Sequence, residues 1–208
     1  MGPSECSAVG ELTSLVDLRL YNAEFLSPTT ECCAAIRKLT GLQRLGAWMW
    51  SAEMLPALAT CTKLTQLVGG WQDDGRSADG VLLPYVVELS ETNGTPPFAA
   101  LPNVVILSQS DGMSTDAFTN LARHCIRLRQ LTVAHACRGA SFKPTGSLRS
   151  RVAALYALSS LTRLTHLSWA TTKSAEMIAI VDLVGRLLPY ALGRRPPSWA
   201  TPIFIYRG

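Results

Sequence analysis

The chain has 208 residues, 48% of them hydrophobic and 16% charged, which suits a compact chain with a sizeable core and excludes a disordered one. Its formal net charge of +4 is small, so the total says little about partners and the distribution of charge says more.

The N-terminus, MGPSECSAVGEL, lacks a basic flank and a long apolar run, so no signal peptide is expected. Gly2 followed by Pro3, Glu5 and Cys6 fits a myristoylation motif poorly. From Leu12 the chain reads LTSLVDLRL, and this run recurs as LTGLQRLGA, CTKLTQLVG, LPNVVILSQ, CIRLRQLTV and LTRLTHLSW. The third leucine-type position of each run gives anchors at Leu18, Leu45, Leu67, Leu107, Leu131 and Leu167, spaced by 27, 22, 40, 24 and 36 residues. Three spacings approach one repeat length. The two long ones, 68–106 and 132–166, hold an insertion or a degenerate copy, and Leu83–Leu89 (LPYVVEL) is a candidate copy in the first.

Apolar residues three before the anchor, at the anchor and two after it predict a short strand whose alternate side chains point one way. A helix start follows within about ten residues. Ser51-Ala52-Glu53-Met54 and Ser174-Ala175-Glu176-Met177 are near copies, Ser114 opens STDAF, and Ser27-Pro28 stands slightly later. In each, the serine hydroxyl is placed to accept from a free N–H of the first turn. One strand and one helix in 22 to 27 residues cannot bury their own apolar face, whereas a stack of copies can.

These six in-phase runs resemble the leucine-rich repeat family, and their helix-bearing length is most like its ribonuclease-inhibitor-like or cysteine-containing types. The resemblance implies an α/β solenoid, a horseshoe with a parallel sheet on its concave face and helices on its convex face. It covers residues 10–180 of a single domain spanning 1–208, with 181–208 left as a terminal helix and tail. The apolar segment Met177–Leu192, interrupted by Asp182, Arg186 and Pro189, is too short and polar to span a bilayer. The family places Asn or Cys five residues after the anchor. Here those positions are Ala23, Trp50, Gln72, Gly112, Ala136 and Thr172, so the repeats are degenerate.

Of six cysteines, Cys61 and Cys125 occupy a slot filled elsewhere by Leu12, Leu39, Leu101 and Leu161, and so read as small core hydrophobes. Cys32 and Cys33 fall on a helix, Cys137 follows a strand and Cys6 lies in the leader. Without a CxxC spacing or His partners at ligand distance, a metal site is not expected. Unpaired core thiols point to a reducing compartment, the cytoplasm.

The resemblance implies that residues between core positions of each strand face outward, where proteins of this kind bind. Arg19 and Tyr21 in the first repeat, Arg44 and Trp48 in the second, and Trp71 in the third then form one patch of the residue types that dominate binding hot spots. The alternative for the tryptophans is packing as extensions of the core. Later repeats offer blander residues, such as Ser108, Thr132 and Ser168.

Charge divides the chain differently. Between Asp116 and Glu176 there is no acidic residue, while Arg123, Arg127, Arg129, Arg138, Lys143, Arg149, Arg151, Arg163, Lys173 and all three histidines lie there. Within it, 136–151 reads as an exposed basic loop. Such a segment can steer an acidic or phosphorylated protein, RNA or a membrane surface, and Arg129, Arg138, Lys143, Arg149 and Arg151 are the candidates for an anion-binding module. Sparse aromatics argue against RNA. No P-loop, GxSxG, HExxH or paired-carboxylate pattern occurs, and His124, His135 and His166 lack orienting acids, so neither an enzyme nor a cofactor is expected. The tail GRRPPSWATPIFIYRG leaves the repeat pattern as a cap, a docking segment or the cut end of a longer chain. The expectation is a non-catalytic module that binds a protein partner through its strand face.

Overall fold

The computed structural model describes residues 3–20, 30–72, 80–92, 94–110, 113–133 and 156–169. Tyr21, the helix starts at Ser27 and Ser174, the 136–151 loop with Cys137, and everything from 170 onward lie outside them.

Seven parallel strands stand side by side in chain order: β1 (Asp17–Leu20), β2 (Arg44–Trp50), β3 (Gln66–Trp71), β4 (Glu88–Thr92), β5 (Ile106–Gln109), β6 (Gln130–Val133) and β7 (His166–Trp169). The expected anchors form a single row, with Leu18, Leu45, Leu67, Leu89, Leu107, Leu131 and Leu167 each paired with the next. Strand β4 is the candidate copy at Leu83–Leu89, and it fills the first long gap with a strand in register. Anchors inside the stack are almost fully buried, while Leu18 in the first strand is only half-buried because no strand precedes it among the described residues.

One backbone device sets this register. The carbonyl two residues before each anchor accepts two N–H groups from the next repeat. Val16 O accepts from Gln43 and Arg44, and Gln43, Thr65, Val87, Val105 and Arg129 repeat the pattern, all at 2.8–3.1 Å.

What lies between strands follows the spacing. The 27-residue interval holds α2 (Thr30–Lys38), and the 24-residue interval before β6 holds α4 (Thr115–His124). The 22 residues from Leu45 to Leu67 leave room for a 3-10 turn (Ala52–Met54) continuing into a four-residue α3 (Leu55–Leu58). The 18 residues from Leu89 to Leu107 accommodate only a 3-10 turn, Phe98–Ala100, after two prolines, and a further one spans Leu158–Ser160 before β7. Ser114 caps α4 as expected, its hydroxyl accepting from the Ala117 N–H at 3.1 Å. Ser51 does not cap. Its turn is 3-10 rather than α-helical, and its hydroxyl is buried without a partner among the described residues.

The connectors bury their apolar residues on the anchor side of the sheet, so Ile36, Leu55, Leu58, Phe98, Phe118 and Leu121 share one core with the anchors. Cys61 and Cys125 lie in that core, 2% and 0% exposed. Each thiol donates to a carbonyl of the preceding repeat, Cys61 to Ile36 O at 3.4 Å and Cys125 to Leu101 O at 3.5 Å. Inside the stack the slot is apolar, with Leu39, Leu101 and Leu161 buried in it, whereas Leu12 in the first repeat is 53% exposed; the sulfur adds a weak tie that leucine cannot make.

In the leader, Pro3–Gly10 forms a helix, α1, that packs on α2 and adds Cys6 to the core. A side chain on Gly10 would come within 3.1 Å of the Ala35 backbone, so glycine permits this approach. Buried Cys6 meets buried Cys32, and Lys38 Nζ bonds Glu11 Oε1 at 2.6 Å just beyond the helix.

Candidate binding face

The side of the sheet opposite the connectors carries two rows of side chains. The row before the anchors reads Asp17, Arg44, Gln66, Glu88, Ile106, Gln130 and His166; the row after them reads Arg19, Gly46, Val68, Ser90, Ser108, Thr132 and Ser168. At the first two strands, Asp17 stands between two arginines. Its carboxylate accepts from Arg44 Nη2 at 3.1 Å and Arg19 Nε at 3.4 Å. These exposed pairs contribute little stability. Their effect is to hold two guanidinium groups on the face that also carries Trp48, which is 55% exposed. In the middle of the sheet Glu88 Oε1 accepts from Gln66 Nε2 at 2.9 Å and from Ser90 Oγ at 2.7 Å.

Of the five expected contacts, Arg19, Arg44 and Trp48 share this exposed face, and Tyr21 lies outside the described residues. Trp71 must be corrected: it is 3% exposed and packs into the core. The expectation counts it among the outward-facing positions of its strand, with core packing as the alternative. Strand β3 instead runs to Trp71, and alternation returns the fourth residue after Leu67 to the anchor side.

Strand β2 reaches the same end by a bulge. Gly46 pairs with Val68 and Met49 with Gly70, so β2 carries one extra residue. Trp48 precedes the change of phase and points out; Trp50 follows it and turns in, 1% exposed. The Trp50 and Trp71 rings then meet at 6.3 Å between centroids, tilted by 43°. Trp50 Nε1 donates to Val68 O at 3.2 Å. A tryptophan therefore holds a backbone carbonyl from the slot five residues after the anchor.

The bulge is possible because the adjacent residue is Gly69, with φ +125°. A Cβ there would fall inside the Ala47 carbonyl oxygen and 2.9 Å from its carbon. Strand β4 also bulges, between Leu89 and Thr92. Fully buried Gln109 is matched there, its Oε1 lying 2.6 Å from the Thr92 hydroxyl and its Nε2 donating to Gly94 O at 2.8 Å. Sequence reasoning missed this network, although a glutamine two residues after an anchor, where Leu20, Ala47, Val133 and Trp169 stand in other repeats, was the available signal.

Arg129 is exposed at the lead-in to β6, and Arg138, Lys143, Arg149 and Arg151 lie outside the described residues. Burial pushes the Cys125 thiol up to about 12. It does the same to Cys32, up to about 11, with Cys6 alongside adding to the shift. Such thiols are poor nucleophiles. Among the described residues no three His, Cys, Asp or Glu side chains converge, and no helix is long and apolar enough to cross a membrane.

No family model and no curated protein sequence matches the chain. Among solved structures, an internalin from Listeria monocytogenes is 16% identical, with a TM-score of 0.39 over 77% of this chain and 43% of that one. The C-terminal domain of tropomodulin from Caenorhabditis elegans is 9% identical, with a TM-score of 0.32 over 94% of this chain and 98% of that one. The chain spans less than half the length of the internalin. Both likenesses are weak, and the α/β fold is carried by the seven-strand parallel register itself.

Proposed function

We propose that this chain is a degenerate leucine-rich repeat module, without catalytic function, that binds a protein partner through the outer face of its first strands. In this reading the sheet lines the concave side of a horseshoe, and Arg19, Arg44 and Trp48 make the contacts. The observation that carries it is Trp48, a large indole more than half exposed on a strand inside the sheet, on the face where one aspartate holds two arginines. An exposed aromatic on a face that carries guanidinium groups is the composition of a binding hot spot, because it buries large area at little cost in side-chain entropy. Core thiols in leucine slots support work in a reducing compartment such as the cytoplasm.

The test is affinity capture with the wild-type chain beside Trp48→Ala and Arg44→Ala/Trp48→Ala. Trp71 is left intact, since truncating it would damage the core. The expected result is loss of at least one captured protein from both variants at an unchanged melting temperature. Identical captured proteins from all three would refute the face.

A further inference from the structure

The strand lead-ins carry a second surface. Before every anchor the chain makes the same four-residue turn, closed by an N–H to C=O bond between its fourth and first residues. In the sixth repeat Leu128 N donates to Cys125 O at 3.0 Å, and in the seventh Leu164 N donates to Leu161 O at 2.9 Å. The third turn residue projects from the rim, and in chain order this column reads Ser14, Gly41, Lys63, Tyr85, Asn103, Arg127 and Arg163. Arg127 and Arg163 are therefore equivalent residues of adjacent repeats, roughly 5 Å apart at the backbone. Arg129 follows two residues after Arg127, and its carbonyl accepts both Thr165 N and His166 N, which locks the two lead-ins together.

Arg127, Arg129 and Arg163 are all exposed, as is Arg123 in the last turn of α4. At the other end of the sheet Arg19 and Arg44 share Asp17, and Lys38 holds Glu11. The rim has no such arrangement. Among the described residues none of these four guanidinium groups has a carboxylate partner, and the acid nearest in sequence to Arg123, Arg127 and Arg129, Asp116, sits in the first turn of α4. Exposed Ile126 lies among them, 62% accessible. Thr132 and Ser168, on the adjoining strands, are small and polar and offer no platform for stacked bases.

We propose that Arg127, Arg129 and Arg163 form a rim that docks an acidic peptide segment of a protein partner, reading its side-chain oxyanions. Guanidinium groups on successive repeats present parallel forks to carboxylate or phosphate oxygens. Ile126 offers an apolar contact within the basic ring. The rim shares with the strand-face reading only the premise of a binding module, and the two surfaces use no residue in common.

Fluorescence polarisation tests it with four labelled probes: a Glu/Gly dodecapeptide, its Gln/Gly counterpart, a phosphoserine/Gly version and a single-stranded RNA dodecamer. The Glu peptide is expected to bind, the Gln peptide not to, and Arg127→Gln/Arg163→Gln to weaken binding about tenfold. Binding should also weaken several-fold between about 50 and 200 mM salt. Tighter binding of the phosphoserine probe with the same arginine dependence supports the rim and makes phosphate its preferred oxyanion. Trp48→Ala should bind the Glu peptide as wild type does, so failure of the strand face leaves this result standing. Equal binding of Glu and Gln peptides, indifference to the double variant at an unchanged circular dichroism spectrum, loss of peptide binding in Trp48→Ala, or arginine-dependent binding of RNA alone would each overturn the proposal.

Discussion

Replacing Gly69 by alanine tests whether the β2 bulge depends on its neighbour. At φ +125° an L-residue is strained wherever it sits, at a cost of about 1–3 kcal/mol. The added methyl would also stand 2.9 Å from the Ala47 carbonyl carbon and 3.4 Å from Trp50 Nε1. Ordinary carbon contacts lie at about 3.5–4.0 Å, so β2 and β3 must part locally. Parting them breaks the Trp50 to Val68 hydrogen bond, a net loss of about 1 kcal/mol. Together with the damaged Trp50–Trp71 packing the expected loss is about 3–5 kcal/mol, a large part of a typical domain's stability. Gly80 is the control: its φ is +77°, but nothing lies within 4 Å of an added Cβ, so Gly80→Ala carries the conformational cost alone. Urea denaturation followed by tryptophan fluorescence and circular dichroism compares them. If Gly69→Ala is no less stable than Gly80→Ala, the close approach is not what the bulge requires.

Two further expectations use the same denaturation assay. Trp71→Ala should cost about 3–5 kcal/mol as a core truncation, whereas exposed Trp48→Ala should change stability by no more than about 0.5 kcal/mol; equal effects would refute the division of the two tryptophans between core and face. Cys125 bears on pH: its folded thiol, pushed up to about 12 by burial from an ordinary 9.0, keeps its proton where the unfolded chain has lost it. Its contribution is therefore intact below pH 9 and declines as pH rises toward 12, by about 1 kcal/mol at pH 10. Cys125→Ala should have a shallower alkaline decline than wild type, and parallel declines would remove the thiol from the explanation.

The anchors were legible because each occupies one environment repeated along the stack, and a leucine buried by the same neighbours leaves the same mark every time. Even the divergent copy at Leu83–Leu89 kept that mark. The outer face was legible only while strict alternation lasted. Where β2 and β4 gain a residue, the cause lies in backbone torsions and in a partner strand about twenty residues away, so no local pattern announces it. Trp48, Trp50 and Trp71 look alike as letters, and the bulge and the length of β3 decide which of them meets solvent. Ser51 and Ser114 likewise begin similar words. Their intervals differ by only a few residues, and only the longer one builds the α-helical turn in which the hydroxyl finds its N–H.

The doubly accepting carbonyl of each repeat has an evolutionary consequence. Because alignment is carried by one peptide oxygen, without regard to side chain, the residue that owns it is free to vary, and it is in turn Val16, Gln43, Thr65, Val87, Val105 and Arg129. Intervals of 18 to 36 residues feed into the same rungs without shifting them. Mutation can therefore rewrite the rim and lengthen the connectors independently, and a new specificity can arise here without renegotiating the fold.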